Sequence, residues 1–473
     1  MQNKIAIIGG GVAGSTTALY LGNLGLDVTL FEKEKDLISG PPFCHLHAGG
    51  NLYREISDRQ CIDLLKQSID FLRYYPYVVD YRPTVIVLPT QDKAKVQDLL
   101  PRLDLLTKEY QKFIEKDPNN KVLGESEHYY KLYSKEAILN LQKQETLTQP
   151  RTLDEWMIPV AKYVDLDKVQ FPLVMVQEYG LNLFQLASGV KLSLSNIQNI
   201  TLHTQTKVEN ITSYEEDFKI TYTKEEQQHS SHFDYIINAA GFQTGKIDDM
   251  LDVPCKRMVE FKAAYVTKWE GNTTLFPEII FHGERGTPQG MGQFTPYPDG
   301  HFQLHGMTKE ITLYEDGLVA NTQMSCQPKL NQNFIKKIEE SWSQEETNQR
   351  TKSAIKHISK FIPDFSHAKV ASKPLFGAQQ IPGDDPTLRV AEVSFAQERY
   401  ARCEIVKVSS VLSMVDAIVK QLINLGYVDA DVYKSRDLSH LNTLSEKQII
   451  NNAKEIALQR DYPSSISDRN IKP

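Results

Sequence analysis

Residues 39–57 read SGPPFCHLHAGGNLYREIS and crowd Cys44, His45, His47, Asn51, Tyr53 and Arg54 into one short stretch. Pro41, Pro42, Gly49 and Gly50 deny it regular structure, so it reads as a loop. Imidazole titrates near neutral pH, which makes His45 and His47 the candidates for taking a proton from a reacting oxygen or nitrogen. A guanidinium matches a carboxylate bidentately, so Arg54, Arg257, Arg399 and Arg402 are candidate carboxylate clamps. Cys44 is either a reactive thiol at the site or a small buried apolar residue. Loops dense in such side chains are more often functional than decorative.

Immediately before this loop lies the element that must position it. Residues 4–32 run KIAIIGGGVAGSTTALYLGNLGLDVTLFE. Ile5, Ile7 and Ile8 make a short apolar run suited to a buried parallel strand. Gly9, Gly11 and Gly14 follow as G-x-G-x-x-G, a helical pattern occupies 12–24, and a second strand ends in Glu32. Gly9 permits the tight turn, Gly11 lets a pyrophosphate approach the backbone, and Gly14 lets helix and strand lie close. The N–H groups of Val12 and Ala13 then face the phosphates, and Glu32 is placed to accept from ribose hydroxyls. A glycine-rich turn without a nucleotide is the alternative; two flanking strands and a carboxylate 18 positions after Gly14 argue against it.

The 473 residues predict one to three domains and carry a formal net charge of −7 without a basic block, which argues against a nucleic-acid partner. No apolar run approaches the roughly 18 residues of a membrane span, and a strand beginning at Lys4 leaves no room for a cleaved leader. Five cysteines (Cys44, Cys61, Cys255, Cys326, Cys403) show neither metal spacing nor an even disulfide set, so we expect a reducing cytoplasm and no metal.

Further along, 59–75 predicts an amphipathic helix, 84–88 a strand, and 92–144 a charged, exposed helical insertion. Strands follow before Gly180, through Val208 and over 218–222. Residues 233–245, FDYIINAAGFQTG, predict a buried strand ending in Ala239, Ala240 and Gly241, small residues against which a ligand can lie. Residues 255–324 read as an antiparallel sheet with a turn at 297–300 (YPDG), and 331–361 as helix. Strands are expected over 388–395 and 403–408. Ser409 and Ser410 then stand where a helix over 412–425 begins, with serine as its N-cap. One more helix is expected near 446–458.

These pieces, in this order, resemble the FAD-dependent oxidoreductases of the D-amino-acid oxidase superfamily. The resemblance rests on GGGVAG with Glu32, TKVENI around Val208, DYIINAAG and the final strand-to-helix step, and it spans nearly the whole chain. It implies an α/β fold: a Rossmann-like FAD-binding domain built from discontinuous segments, with an interleaved α+β substrate domain carrying an antiparallel sheet. The implied division is 1–80, 165–250 and 370–430 for FAD, 81–164 and 251–369 for substrate, and 431–473 for a helical tail. The cofactor implied is FAD. Its ADP half falls to Gly9, Gly11, Val12, Ala13, Gly14, Glu32 and Lys33, with Val208, Ala240 and Gly241 beside the nucleotide. Cys44 and His45 fall beside the flavin ring, and Ser409, Ser410, Val411 and Leu412 at its N1–C2=O edge.

HAGGNLY is similar to the loop of malate:quinone oxidoreductases, and HAGG also resembles the H-A-A-G loop of dimethylglycine and sarcosine dehydrogenases, whose histidine is joined covalently to FAD. The G-L-R-P arginine of amino-acid oxidases is absent; Gln379 and Gln380 stand in the nearest place. The expected activity is a dehydrogenase or oxidase moving hydride from a small amino or hydroxy acid to flavin N5, with His45, His47 and Arg402 as catalytic candidates. A flavin monooxygenase, for which Gly383-Asp384-Asp385 is a superficial cue, and a flavoprotein serving mainly partner binding are the alternatives. The acceptor is oxygen, quinone or a carrier protein. The expected location is cytoplasmic, with a peripheral membrane encounter if the acceptor is a quinone.

Overall fold

The computed structural model describes residues 3–40, 49–50, 56–433 and 436–470. Two sheets dominate. The first has six strands in the order Val393–Gln397, Tyr400–Cys403, Tyr235–Asn238, Lys4–Ile8, Asp27–Phe31, Ile200–His203, all parallel except the outermost Val393–Gln397. Ile8 pairs with both Phe31 and Asn238, so Gly9, Glu32 and Ala239 leave the sheet side by side at its C-terminal edge. That edge is where open parallel sheets bind ligands.

The second sheet has ten strands around one long member, Arg257–Lys268, which pairs with His301–Gly306, Leu318–Ala320, Lys369–Val370 and Leu375–Pro382. Beyond His301–Gly306 come Gly292–Tyr297, Glu278–Phe281, Thr84–Val87, Leu173–Val176 and Tyr130–Tyr133. Side chains alternate across a strand. Phe294, Phe302, Leu304, Ala263 and Tyr265 therefore point into a core that also holds Trp156, Ile358 and Phe365. The opposite face presents Lys262, Gln293, Gln303 and His305 to a cavity. One sheet thus separates an aromatic core, where Phe294 and Phe302 stack at 4.4 Å, from a polar chamber.

Several expectations are corrected. Leu173–Val176 and Leu375–Pro382, expected in the FAD-binding part, pair into the second sheet. The 92–144 stretch is no detached insertion: Tyr130–Tyr133 forms an edge strand of that sheet, and the helix Leu100–Lys116 packs on the helix Asp58–Tyr74, with Arg102 donating to Asp58 at 3.1 Å. The late strands fall at Val393–Gln397 and Tyr400–Cys403, shifted from 388–395 and 403–408. Residues 331–361 form two helices, Gln332–Glu339 and Gln344–Ile358. The 3-10 turn Val408–Ser410 leads into the helix Val411–Asn424, but Ser410 caps nothing: its hydroxyl donates to Gln67 Oε1 at 2.7 Å. A partner from another helix outcompetes the local cap.

A buried ion cluster ties the sheets together. Asp248, fully buried, accepts from Arg402 Nε of the first sheet at 2.8 Å and from Tyr400 Oη at 2.6 Å, and pairs with Arg257 of the second sheet at 3.4 Å. Gln380 adds a second link, accepting from Arg257 at 3.1 Å and donating to the Cys403 carbonyl at 2.9 Å. Removing one partner of a buried pair strands the other charge. Asp248→Asn is expected to lower stability by ~3–5 kcal/mol in denaturant titration while leaving far-UV ellipticity intact.

Candidate functional site

The glycine turn is built by close backbone approach. Gly9 has φ +105°, and a Cβ on it would lie 2.4 Å from the Ala239 carbonyl oxygen; one on Gly14 would lie 1.8 Å from the Gly9 carbonyl oxygen. A Cβ on Gly11 would meet nothing within 4 Å, so the outer face of the turn stays open. From it starts the helix Val12–Asn23, with no side-chain cap and no acidic residue in its first turn. Its leading N–H groups and positive dipole end suit a pyrophosphate.

Glu32 accepts from the Gly10 N–H at 2.6 Å and the Glu34 N–H at 2.7 Å. Burial raises its carboxyl above the ordinary value, and the two N–H bonds work against that rise. Lys33 pairs with Glu34 at 3.3 Å. The backbone of Glu32 joins the next wall: Thr206 N–H donates to the Glu32 carbonyl at 2.8 Å, which sets Val208 two residues further on. Ala239 N–H donates to the Ile8 carbonyl at 2.8 Å, so Ala240 and Gly241 flank the same turn. The fold therefore gathers Gly9, Gly11, Val12, Ala13, Gly14, Glu32, Val208, Ala240 and Gly241 at one sheet edge.

A cavity of about 1020 Å³ opens from this edge. Gly11 and Val12 line one part, and Val408, just before the 411–424 helix, lines another. Ser409 is 2% exposed and, among the described residues, its Oγ has no hydrogen-bond partner. A buried unpartnered hydroxyl at a helix N-terminus needs a polar group to meet it. Val411 and Leu412 follow in the first turn and are buried. The site thus fits FAD on three counts: an open glycine face, a ribose-type carboxylate and a polar atom awaiting a partner.

Cys44, His45, His47, Asn51, Tyr53 and Arg54 lie outside the described residues. Gly40 and Ile56, on either side of them, both line the cavity. The arginines are placed otherwise than expected. Arg402 and Arg257 are consumed by Asp248 and by Glu404 at 3.6 and 3.5 Å, and neither lines the cavity. Arg399 donates to the carbonyls of Tyr214, Glu215 and Glu216 at the surface. Arg402 is thus a positioning residue for the joint between the sheets; sequence alone could not tell a clamp from an ion pair.

Among the described residues, the cavity's cations are not the arginines that the sequence singled out. Lys262 donates to Glu260 at 3.0 Å and to Gln379 Oε1 at 3.0 Å, and Arg285 also pairs with Glu260. Gln379 thus orients a lysine from the adjacent strand. The missed signal was EFKAA: charges at 260 and 262, two apart in an apolar strand, must share one face. Burial lowers the Lys262 ammonium below its ordinary value, against the pull of Glu260 and with the push of Arg389 and Arg285. Burial alone would raise Glu260; Lys262 and Arg285 overcome it and hold its carboxyl at about 2. His282 and His305 line the same wall.

Two outcomes follow from this geometry. Gly14→Ala should fail to yield folded, yellow protein, whereas Gly11→Ala should cost the FAD-free chain no more than about 1 kcal/mol and weaken FAD binding, both read by thermal melting and flavin titration. Glu260→Gln should destabilise by roughly 1–3 kcal/mol at neutral pH, less than a fully buried pair because Arg285 is part exposed. The Glu260 carboxyl sits lower when folded than its ordinary 4.5, so its contribution is complete above pH 4.5 and fades as pH falls toward 2. Melting curves of the two proteins should therefore converge in acid.

Comparison with known proteins bears on the same segment. Residues 4–136 match the family model described as FAD dependent oxidoreductase (DAO). No curated protein matches by sequence. Among solved structures, glycine oxidase from Geobacillus kaustophilus superposes with a TM-score of 0.55 at 11% identity, covering 89% of this chain and 95% of that one. L-proline dehydrogenase from P. horikoshii gives 0.56 at 14%, covering 91% and 96%. FAD-bound L-alpha-glycerophosphate oxidase from Mycoplasma pneumoniae gives 0.56 at 16%, covering 89% and 95%. At such identities the likeness is one of fold. The family match falls on the segment that builds the glycine turn, and the shared fold carries on from there through the second sheet.

Proposed function

We propose that the protein oxidises a small amino or 2-hydroxy acid, with hydride passing to flavin N5 and the electrons leaving to oxygen, a quinone or a carrier protein. The observation that carries this reading is the single cavity that reaches both the glycine turn, through Gly11 and Val12, and the polar sheet face bearing Lys262 and His305. FAD, when bound, supplies the two-electron acceptor. Gly9, Gly11, Val12, Ala13 and Gly14 would hold its pyrophosphate, Glu32 its ribose, and Ser409 to Leu412 the flavin edge.

The chain's own residues have two tasks. Lys262, kept in place by Glu260 and Gln379, meets the substrate carboxylate. An imidazole takes the proton from the substrate oxygen or nitrogen; His305 and His282 on the sheet wall join His45 and His47 as candidates. The monooxygenase cue carries less support: Asp385 turns back onto the Thr387 N–H at 2.8 Å, and Gly383 and Asp384 line a separate, open cleft. The partner-binding reading loses its ground as well, since 92–144 contributes a sheet strand and, through Asp92, Lys93 and Ala94, part of the cavity wall.

Anaerobic mixing of the purified holoprotein with a panel of amino and 2-hydroxy acids is expected to bleach the visible flavin band with at least one of them. Bleaching by NADPH alone, with none by any acid, would overturn the reading.

A further inference from the structure

One residue of the cavity wall holds a backbone conformation that its side chain resists. Ile38 has φ +53°, in the left-handed region where a β-branched side chain crowds its own backbone. Among the described non-glycine residues with positive φ, Ile38 is the one β-branched residue and the one that lines the cavity. Such a conformation persists only where its surroundings enforce it, and it clusters at binding sites. Hydrogen bonds enforce it here from both sides. The Ile38 N–H donates to the Gly10 carbonyl at 2.9 Å, and the Gly10 N–H donates to Glu32 at 2.6 Å. The Ile38 carbonyl accepts from Arg460 Nη1 at 3.0 Å, and the Leu37 carbonyl accepts from Arg460 Nη2 at 2.9 Å.

Arg460 comes from the far end of the chain, directly after the helix Glu446–Gln459. That helix buries Ile449, Ala453, Ile456 and Ala457 and packs on the helix Leu183–Leu194, where Ser188 Oγ donates to the Ile449 carbonyl at 2.8 Å. Its apolar face therefore docks it without help from a charge. The Arg460 side chain is only 19% exposed, and burial lowers its guanidinium below the ordinary value, against the pull of Asp36 at 3.9 Å. Burying a cation is costly, even at a helix C-terminus where the dipole favours it. What the guanidinium supplies is a planar fork that spans two successive carbonyls, which a point charge cannot do.

We propose that Arg460 is a positioning residue of the FAD site: by holding the Leu37 and Ile38 carbonyls it fixes Ile38 in the left-handed conformation and so sets the cavity wall that Ile38 shares with Gly11 and Val12. The C-terminal helix is then a working part of the cofactor site rather than a separate tail. The proposal rests on FAD lying at the glycine turn and does not depend on which acid is oxidised.

The test is titration of the FAD-stripped full chain with FAD, read by flavin fluorescence and by visible circular dichroism of the bound flavin. Arg460→Gln is expected to weaken FAD binding at least ~10-fold and to alter the dichroic band. Arg469→Gln is the control. It lies further along the same segment and donates to the Val79 carbonyl at 3.1 Å and to Glu446 at 3.0 Å. It should lower the melting temperature yet leave FAD affinity within about twofold. Glycine adopts positive φ at little cost. In an Ile38→Gly background, Arg460→Gln should therefore weaken FAD by no more than about twofold. If Arg460→Gln does not fold, Arg460→Lys, which keeps the charge beside Asp36 and loses the fork, enters the same cycle. Unchanged affinity in the Arg460 variant, an equal loss in Arg469→Gln, or an equal loss with and without Ile38→Gly would overturn the proposal. Gly11→Ala separates the two layers: FAD binding unchanged in that variant too would overturn the placement of FAD at the glycine turn, whereas weakening in Gly11→Ala alone would overturn only the role of Arg460.

Discussion

Backbone packed on backbone at the end of the central strands is the constraint from which the rest of the structure follows. Gly14 can carry no side chain because the Gly9 carbonyl occupies that space, and Gly9 can carry none because Ala239 does. This contact brings the first helix against the sheet and sets Lys4–Ile8 level with Asp27–Phe31 and Tyr235–Asn238. Once that level is set, Glu32 can reach the Gly10 N–H, and Thr206 can bond the Glu32 carbonyl. The nucleotide-binding edge is thus a consequence of packing distance rather than of any one polar residue.

The second half of the molecule is held to this edge by charge. Asp248 stands between Arg402 of the parallel sheet and Arg257 of the long antiparallel strand, and Gln379 and Gln380 reach across to the Val406 and Cys403 carbonyls. A buried carboxylate between two guanidinium groups is costly to desolvate, and loss of either partner strands a buried charge. It therefore fixes how the polar sheet face stands over the glycine turn. The same long strand then carries Lys262 into the cavity with Glu260 behind it, so the joint and the cavity wall share one element.

Much of the site was legible because some residues have a narrow range of uses. A glycine turn between two strands, a terminal carboxylate and a run of small residues after a buried strand each answer to one local requirement. The YPDG turn also stands as read, with positive φ at Asp299 and Gly300 between Gly292–Tyr297 and His301–Gly306. Arginines and serines were not legible in this way. Arg402 and Ser410 find partners far along the chain, Asp248 and Gln67, which local pattern cannot show. Strand membership failed for the same reason: Leu173–Val176 and Leu375–Pro382 are recognisable as strands, but which sheet takes them depends on partners found elsewhere in the chain.

The sequence by itself determined the cofactor class and the edge that receives it, since close backbone approach admits glycine and little else. It also determined that an antiparallel sheet follows, because strand runs and the YPDG turn are local signals. Only the tertiary structure decided which cations line the cavity. Lys262, Arg285 and Arg389 come from a strand and two loops far apart in the chain, and Glu260 joins two of them. Long-range pairing of charges has no sequence period, so their convergence appears only when the strands are assembled.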